Sequence, residues 1–220
     1  MVNLFGIPES WKLVRERGRL KLARKQTKDP CPICYLTRAL CICDSIPRLD
    51  LNTRVCLVVH VNELKRSSNT GRLALRALVN SEMRVRGETR EPLDLRDLLT
   101  DRYRTFLFYP SEDAVELDRE LVAQDRTPIQ LIVPDGSWRQ AGKVQYRHRE
   151  LKDVPRVKIS APNTSKFHLR AQHTPEGMAT LQAIAHALGV IEGDFVKAEL
   201  MKLYQAKVER TLIASGRLKG

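Results

Sequence analysis

The sequence predicts an α/β domain on a mainly parallel sheet, with a small cysteine-bearing module on its N-terminal side. Three observations carry this. Short β-branched and aromatic runs at 54–60, 105–109, 129–133 and 157–160 alternate with stretches of helical spacing, as parallel strands joined by helical crossovers do. Three of those runs end in polar loops, at His60, at 109–111 and at 135–138, where open α/β sheets hold their ligands. Four cysteines spaced C-x2-C-x6-C-x-C precede the first run.

The chain has 220 residues, 42% of them hydrophobic, enough for one core at the usual ~100–200 residues per domain. The expected division is a basic arm and cysteine module over 1–50 and a larger domain over 51–220. No apolar run approaches the roughly 18 residues of a membrane helix, and residues 1–8 do not read as a signal peptide. A cytoplasmic chain without membrane attachment is therefore expected, with a monomer favoured. The net charge of +12 and pI near 9.8 call for a polyanionic partner. With only 5% aromatic residues, a folded RNA read through phosphates and shape suits the chain better than a long single strand laid on stacking rings.

Residues 8–28 form a basic arm around Trp11, Val14, Leu20 and Leu22, a weak helical period interrupted by Gly18. It reads either as a solvated terminus or as an arm that orders on RNA. Cys31 and Cys34 can face one ion across a tight knuckle, and Cys41 and Cys43 can complete a tetrahedral, structural Zn²⁺ site. Reduced thiols without metal are the alternative in a cytosolic chain. Cys56, inside the first strand, reads as core.

Residues 54–60 are a buried strand ending at His60. The following loop contains Lys65, Arg66, Asn69, Thr70 and Arg72. Asn69 or Thr70 reads as the N-cap of a helix carrying Leu73, Ala74, Ala77 and Leu78. A strand, a polar loop and a helix N-terminus can bind an anion, with Lys65, Arg66 and Arg72 as RNA contacts, or can simply form a cap with a solvated face. Leu93, Leu95, Leu98 and Leu99 suggest a short helix.

Residues 129–133 are the next buried strand. Pro134 is expected to end it, since proline cannot donate to a central ladder. Asp135 and Gly136 then turn the chain, and Ser137 caps a helix from Trp138 to about Tyr146. By itself this motif reads as an Asx-turn with a core tryptophan. Arg139, Lys143 and Arg147 share one face of the helix and make a basic, RNA-facing flank. Further on, Thr174 and Pro175 open a helix that Gly189 should stop, with Met178, Leu181, Ile184, Ala185 and Leu188 buried. A last helix runs from about Asp194 to Ala214 with Phe195, Leu203 and Leu212 inward. Dinucleotide-binding, Walker and nucleophile-elbow motifs are missing from the sequence.

Taken together, the cysteine quartet, His60 with the 66–71 loop, the 109–114 and 135–141 motifs and the 151–169 and 174–185 segments resemble the DTW-domain family of tRNA-uridine aminocarboxypropyltransferases over roughly residues 31–190. The family-naming Asp-Thr-Trp reads Asp-Gly-Ser-Trp here, where Ser137 can replace the threonine hydroxyl. The resemblance implies a SPOUT-like knotted fold with S-adenosylmethionine held by loops at the carboxyl edge of the sheet. The cofactor residues expected on that basis are Tyr109, Pro110, Ser111, Val133, Pro134, Asp135, Ser160, Leu169 and Met178. It also implies transfer of the 3-amino-3-carboxypropyl group to N3 of a tRNA uridine, releasing methylthioadenosine.

Uridine N3 carries a proton that must leave, and Asp135 is the expected base or orienting acceptor. A counter-ion role toward the sulfonium is a further expectation for it. Ser137 is expected to hold the turn or a substrate oxygen, and Trp138 to pack under the loop more than to stack on the base. Two other readings stand beside this one: an RNA methyltransferase of similar fold, which would release S-adenosylhomocysteine, and a non-enzymatic zinc and RNA-binding module.

Overall fold

The computed structural model describes residues 13–16, 19–22, 29–64, 66–87, 93–160 and 177–218. Six strands form one sheet in the order β4-β3-β7-β5-β8-β6, and every pairing in it is parallel. They are β3 (Arg54–His60), β4 (Ser81–Arg86), β5 (Arg104–Phe108), β6 (Val115–Glu116), β7 (Ile129–Asp135) and β8 (Arg156–Lys158). All six carboxyl ends therefore meet at one edge. The connection from β8 to the next helix passes through 161–176. The threading that would define a knot thus lies outside the described residues, as do Thr174 and Pro175.

Both faces of the sheet are covered at its centre, which is why β3 and β7 read as continuous apolar runs. Val55, Leu57, Val59, Leu131 and Val133 join one core with α1 (Gly71–Ala77), α5 (Thr180–Ile191) and α6 (Asp194–Ala214). Cys31, Cys34, Leu36 and Ile42 of the cysteine module belong to the same core. Residues of the opposite parity, Cys56, Val58, Leu107 and Ile132, pack with Leu95, Leu98, Val144, Leu151 and Val154 in a second. Burial pushes the Cys56 thiol up to about 12, in keeping with a core role. No helix among the described residues is long and apolar enough to cross a membrane.

Several local expectations are corrected. In the basic arm, β1 (Leu13–Glu16) and β2 (Arg19–Leu22) pair antiparallel, Leu13 opposite Leu22, in place of a helical turn. β4, absent from the sequence reading, is an edge strand of alternating charge whose Glu82 bonds Arg54 at 2.9 Å and Arg84 at 3.1 Å; its polar content hid it. The 93–99 stretch forms only a 3-10 turn at Arg96–Leu98.

Pro134 does not end β7. It stands opposite Val58 in the β3 register, within a strand that runs to Asp135. Pro128 accepts from the backbone of Arg104 in β5, so the even residues of β7 point their polar groups toward β5. The β5–β7 register stops at Ile132, and the donor that Pro134 lacks therefore removes no ladder bond.

Two helix assignments also change. Gly189 lies inside α5, not at its end; a Cβ there would come 2.8 Å from the Lys197 Cβ, so the glycine allows α5 and α6 to approach closely. The chain turns instead at Gly193, with φ +109. Leu203 and Leu212 are buried, but Phe195, at the start of α6, is exposed.

Candidate active site at the carboxyl edge of the sheet

Asp135 closes β7 and is 5% exposed. Both of its carboxylate oxygens are engaged. Asn69 donates its amide to Oδ2 at 2.5 Å, and the Thr180 hydroxyl donates to Oδ1 at 2.6 Å. Asn69 Oδ1 in turn accepts from the backbone of Arg72 at 3.3 Å, which caps the first turn of α1. Thr70, the formal N-cap, makes no cap bond; its hydroxyl accepts from the backbone of Leu181 in α5 at 3.1 Å. The carboxylate thus joins β7, the start of α1 and the start of α5. Gly71 makes room for it, since a Cβ there would meet Leu57 at 2.7 Å and Asp135 Oδ2 at 3.1 Å.

Ser137 N-caps α3 (Trp138–Gly142) in a reciprocal capping box with Gln140. Gly136 permits this box, because a Cβ there would meet the Gln140 Cβ at 2.9 Å. The expected single helix from Trp138 to Tyr146 is broken at Lys143 into α3 and α4 (Val144–Arg147).

Trp138 is not a core residue. It is 41% exposed, with its ring 6.4 Å from that of Tyr109 and tilted by 58°. The Tyr109 hydroxyl faces Gly142, where a Cβ would stand 2.8 Å away. Burial first, then Tyr146, raises the Tyr109 pKa. Tyr146 is 78% exposed, so a tryptophan and a tyrosine present ring surface to solvent on the segment that follows Asp135.

The remaining cofactor candidates spread along the same edge. Pro110 is exposed and Ser111 half-buried. Ser111 and Arg156 hold Asp113 below the usual carboxylate range, with Arg156 at 2.7 Å. Ser160 donates its backbone and hydroxyl to the Glu116 carboxylate, each at 2.7 Å. Met178 is half-buried. Val133 and Pro134 are buried within the sheet, in the β3–β7 register. Leu169 lies outside the described residues.

Of the RNA candidates, Arg139 and Arg147 are exposed and Lys143 is half-buried. Arg66 is exposed and pairs with the buried Glu63 at 3.2 Å. Arg72 turns to the cysteine module, its guanidinium 4.1 Å from the Tyr35 ring centre. Lys65 lies outside the described residues.

The four module cysteines place their sulfurs within 4.8 Å of one another, with Cys31–Cys43 at 3.5 Å and Cys34–Cys41 at 3.8 Å. Zn–S bonds of ~2.3 Å in a tetrahedron give S–S edges of about 3.8 Å, so this donor set fits zinc. The knuckle depends on Tyr35 at φ +58, whose backbone donates to Cys31 O at 2.9 Å. The backbone N–H of Cys34 is the largest of the influences that bring the Cys31 thiol down to about 6, while burial pushes Cys43 up. Lys207 of α6, 1% exposed, donates to Cys34 O at 2.6 Å, and burial brings its pKa down to about 8.

Asn69 was legible as a helix-cap candidate but not as a partner of Asp135; Thr180 and Arg86, the latter buried under α3, had no local signal beyond polarity. The exposure of Tyr146 was legible only as an aromatic residue between basic ones.

A parallel α/β sheet whose carboxyl edge gathers a locked carboxylate, exposed rings and a basic flank, with a tetrathiol module packed on one face, defines an α/β protein with a candidate site at that edge. The family comparison is more specific. The chain belongs to the DTW-domain family, whose model matches residues 28–212. It is 28% identical over 172 residues to tRNA-uridine aminocarboxypropyltransferase 2 of Drosophila melanogaster, covering 75% of this chain and 67% of that protein. The Mus musculus protein of the same name is 24% identical over 195 residues, with 85% and 65% covered. That of Macaca fascicularis is 24% identical over 184 residues, with 80% and 61% covered. This chain thus spans 61–67% of the length of these curated relatives. A solved structure, the SAM-dependent rRNA:acp-transferase Tsr3 from Vulcanisaeta distributa, matches with a TM-score of 0.45 and 16% identity, over 75% of this chain and 85% of that one. So distant a likeness decides nothing about this chain.

Proposed function

We propose that this chain transfers the 3-amino-3-carboxypropyl group of S-adenosylmethionine to N3 of an unpaired uridine in tRNA and releases methylthioadenosine. The reading is supported by one observation above the others: the Asp135–Ser137–Trp138 motif stands at the carboxyl edge of a parallel sheet, in a chain whose relatives carry the name tRNA-uridine aminocarboxypropyltransferase 2.

In this reaction a bond forms between N3 and the terminal carbon of the aminocarboxypropyl chain. The bond from that carbon to sulfur breaks, and its electron pair neutralises the sulfonium. The N3 proton leaves. Carbon choice depends on alignment, with a near-attack separation of ~3–3.5 Å, so the protein's work is chiefly positioning. Asp135 orients the reacting groups and accepts the N3 proton or faces the sulfonium. Its bonds from Asn69 and Thr180 hold the carboxylate in one orientation at the end of the strand. Ser137 sets the turn through its capping box. Trp138 and Tyr109 supply ring surface for a base or an adenine, and Arg139, Lys143 and Arg147 supply charge for the RNA backbone. Cys31, Cys34, Cys41 and Cys43 would hold a zinc ion whose role would be structural, since four thiolates would leave it no open position for catalysis. The chain acts as a cytoplasmic monomer.

Incubation of the protein with S-adenosylmethionine and unmodified tRNA, followed by nucleoside mass spectrometry, tests the reading. Aminocarboxypropyluridine with methylthioadenosine is expected. S-adenosylhomocysteine with a methylated base would select the methyltransferase reading. RNA binding with neither product would leave a binding module.

A further inference from the structure

Arg86 ends β4 and is 5% exposed. Its Nη2 donates to the Gln140 carbonyl of α3 at 2.5 Å, and its Nε has no partner. None of the ion pairs among the described residues includes it. A buried guanidinium that makes one bond to a carbonyl and meets no carboxylate is costly. Its neighbourhood raises that cost. Burial and then the charge of Arg147 depress the Arg86 pKa; burial and then Arg86 depress that of His60, with Glu63 opposing and Arg147 and Lys143 adding to the depression.

His60 stands opposite Arg86 in the β3–β4 register. Its Nδ1 accepts from the Asn62 backbone at 3.2 Å, so the neutral ring carries its proton on Nε2. That atom lies over Gly87, φ +91, where a Cβ would come to 3.0 Å; the glycine leaves the donor uncovered on that side. Asp135 pairs in register with Val59 and shares the face of Leu57 and Gly71. Alternation along the strands puts His60 and Arg86 on the other face of the sheet.

We propose that Arg86, His60, Lys143 and Arg147 form an anion site that takes one backbone phosphate of the RNA substrate, on the opposite face of the sheet from Asp135. A guanidinium fork with a ring N–H beside it matches phosphate oxygens, and the +12 chain charge favours a polyanion as the source. The inference rests on RNA being the substrate but not on the group transferred.

The test uses the full chain, unmodified tRNA and S-adenosylmethionine. Arg86→Gln should raise the Kd for tRNA by about 10–100-fold, the usual loss for a charge-assisted bond. It should also shallow the salt slope by about 0.7–0.9, one phosphate's share, with S-adenosylmethionine affinity unchanged by calorimetry. Arg147→Gln, at an exposed position, should reduce the slope in the same sense. In the unsubstituted chain, tRNA should raise the His60 pKa followed by NMR, a readout that does not depend on how Arg86→Gln folds. Loss of S-adenosylmethionine affinity with an unchanged tRNA slope would assign the cations to the cofactor carboxylate and overturn the proposal. So would an unmoved His60 pKa. RNA binding that responds as expected without any product would instead sink the transferase reading and leave the phosphate site standing.

Discussion

The hydroxyl of Thr180 donates to Asp135 Oδ1 at 2.6 Å and ties the first turn of α5 to the end of β7, 45 residues earlier in the chain. With Asn69 on the other oxygen, the carboxylate has a scaffolding role whether or not it handles a proton. The two roles separate by substitution. In Asp135→Asn the new carbonyl can still accept from Asn69, and the new amide can donate to the Thr180 hydroxyl, which is able to turn and accept. Stability should therefore change by under about 1 kcal/mol, while turnover falls roughly 10²–10⁴-fold if the charge handles the N3 proton. Asp135→Ala removes both roles and should cost about 1–3 kcal/mol as well, by leaving a buried donor unpaired. Urea unfolding beside single-turnover rates checks this; a normal rate in Asp135→Asn would reduce the carboxylate to a tie.

One zinc per chain is expected from elemental analysis of protein purified without chelator. Cys34→Ser should release it and lower the unfolding midpoint, because structural zinc binding energy is folding energy. The damage should spread beyond the module, since Cys31 and Cys34 share a core with the sheet, α5 and α6. A metal-free protein with an unaltered melt would refute the zinc site.

Burial first, then Arg86, holds the His60 pKa below 6.5, with Glu63 opposing and Arg147 and Lys143 adding to the depression. The unfolded chain therefore binds this proton more readily than the folded one. Stability should fall as pH drops through the unfolded value near 6.5, and this contribution should level off below the folded value. His60→Gln should flatten that part of the profile. Thermal melts between pH 7.5 and about 5 make the comparison, and coincident profiles would exclude His60 as the source.

Trp138 is 41% exposed. A core tryptophan cut to alanine costs about 3–5 kcal/mol; at this position Trp138→Ala should cost under about 1 kcal/mol. If the ring meets a base, RNA affinity should weaken by about 1–3 kcal/mol, and Trp138→Phe should recover most of it. Urea melts and filter binding read the two quantities separately; a large stability loss would return the ring to the core.

β3 and β7 were legible because burial on both faces demands uninterrupted apolar runs, and β5 because its second half is buried; β8, with only Val157 buried, showed as a short alternating run. The edge strand β4 was not legible, because its outer side meets solvent and its charges pair with Arg54 and Asp97. Pro134 misled because the rule against proline in a central strand assumes a partner on both sides, whereas β5 has already left the ladder there. Gly189 misled because a close helix approach and a helix stop both call for a residue without a side chain.

The sequence by itself determined the sheet class, the tetrathiol module, the cap at Ser137, the basic excess and the position of Asp135 at a strand end. These are local matters of periodicity, spacing and residue type. Tertiary structure alone decided that Asp135 is held by Asn69 and Thr180, that Trp138 faces outward, and that Arg86 and His60 stand on the opposite face from the carboxylate. Each of those depends on elements far apart in the chain meeting at one edge, and on which side of a pleated strand a side chain falls; a sequence pattern does not record such contacts.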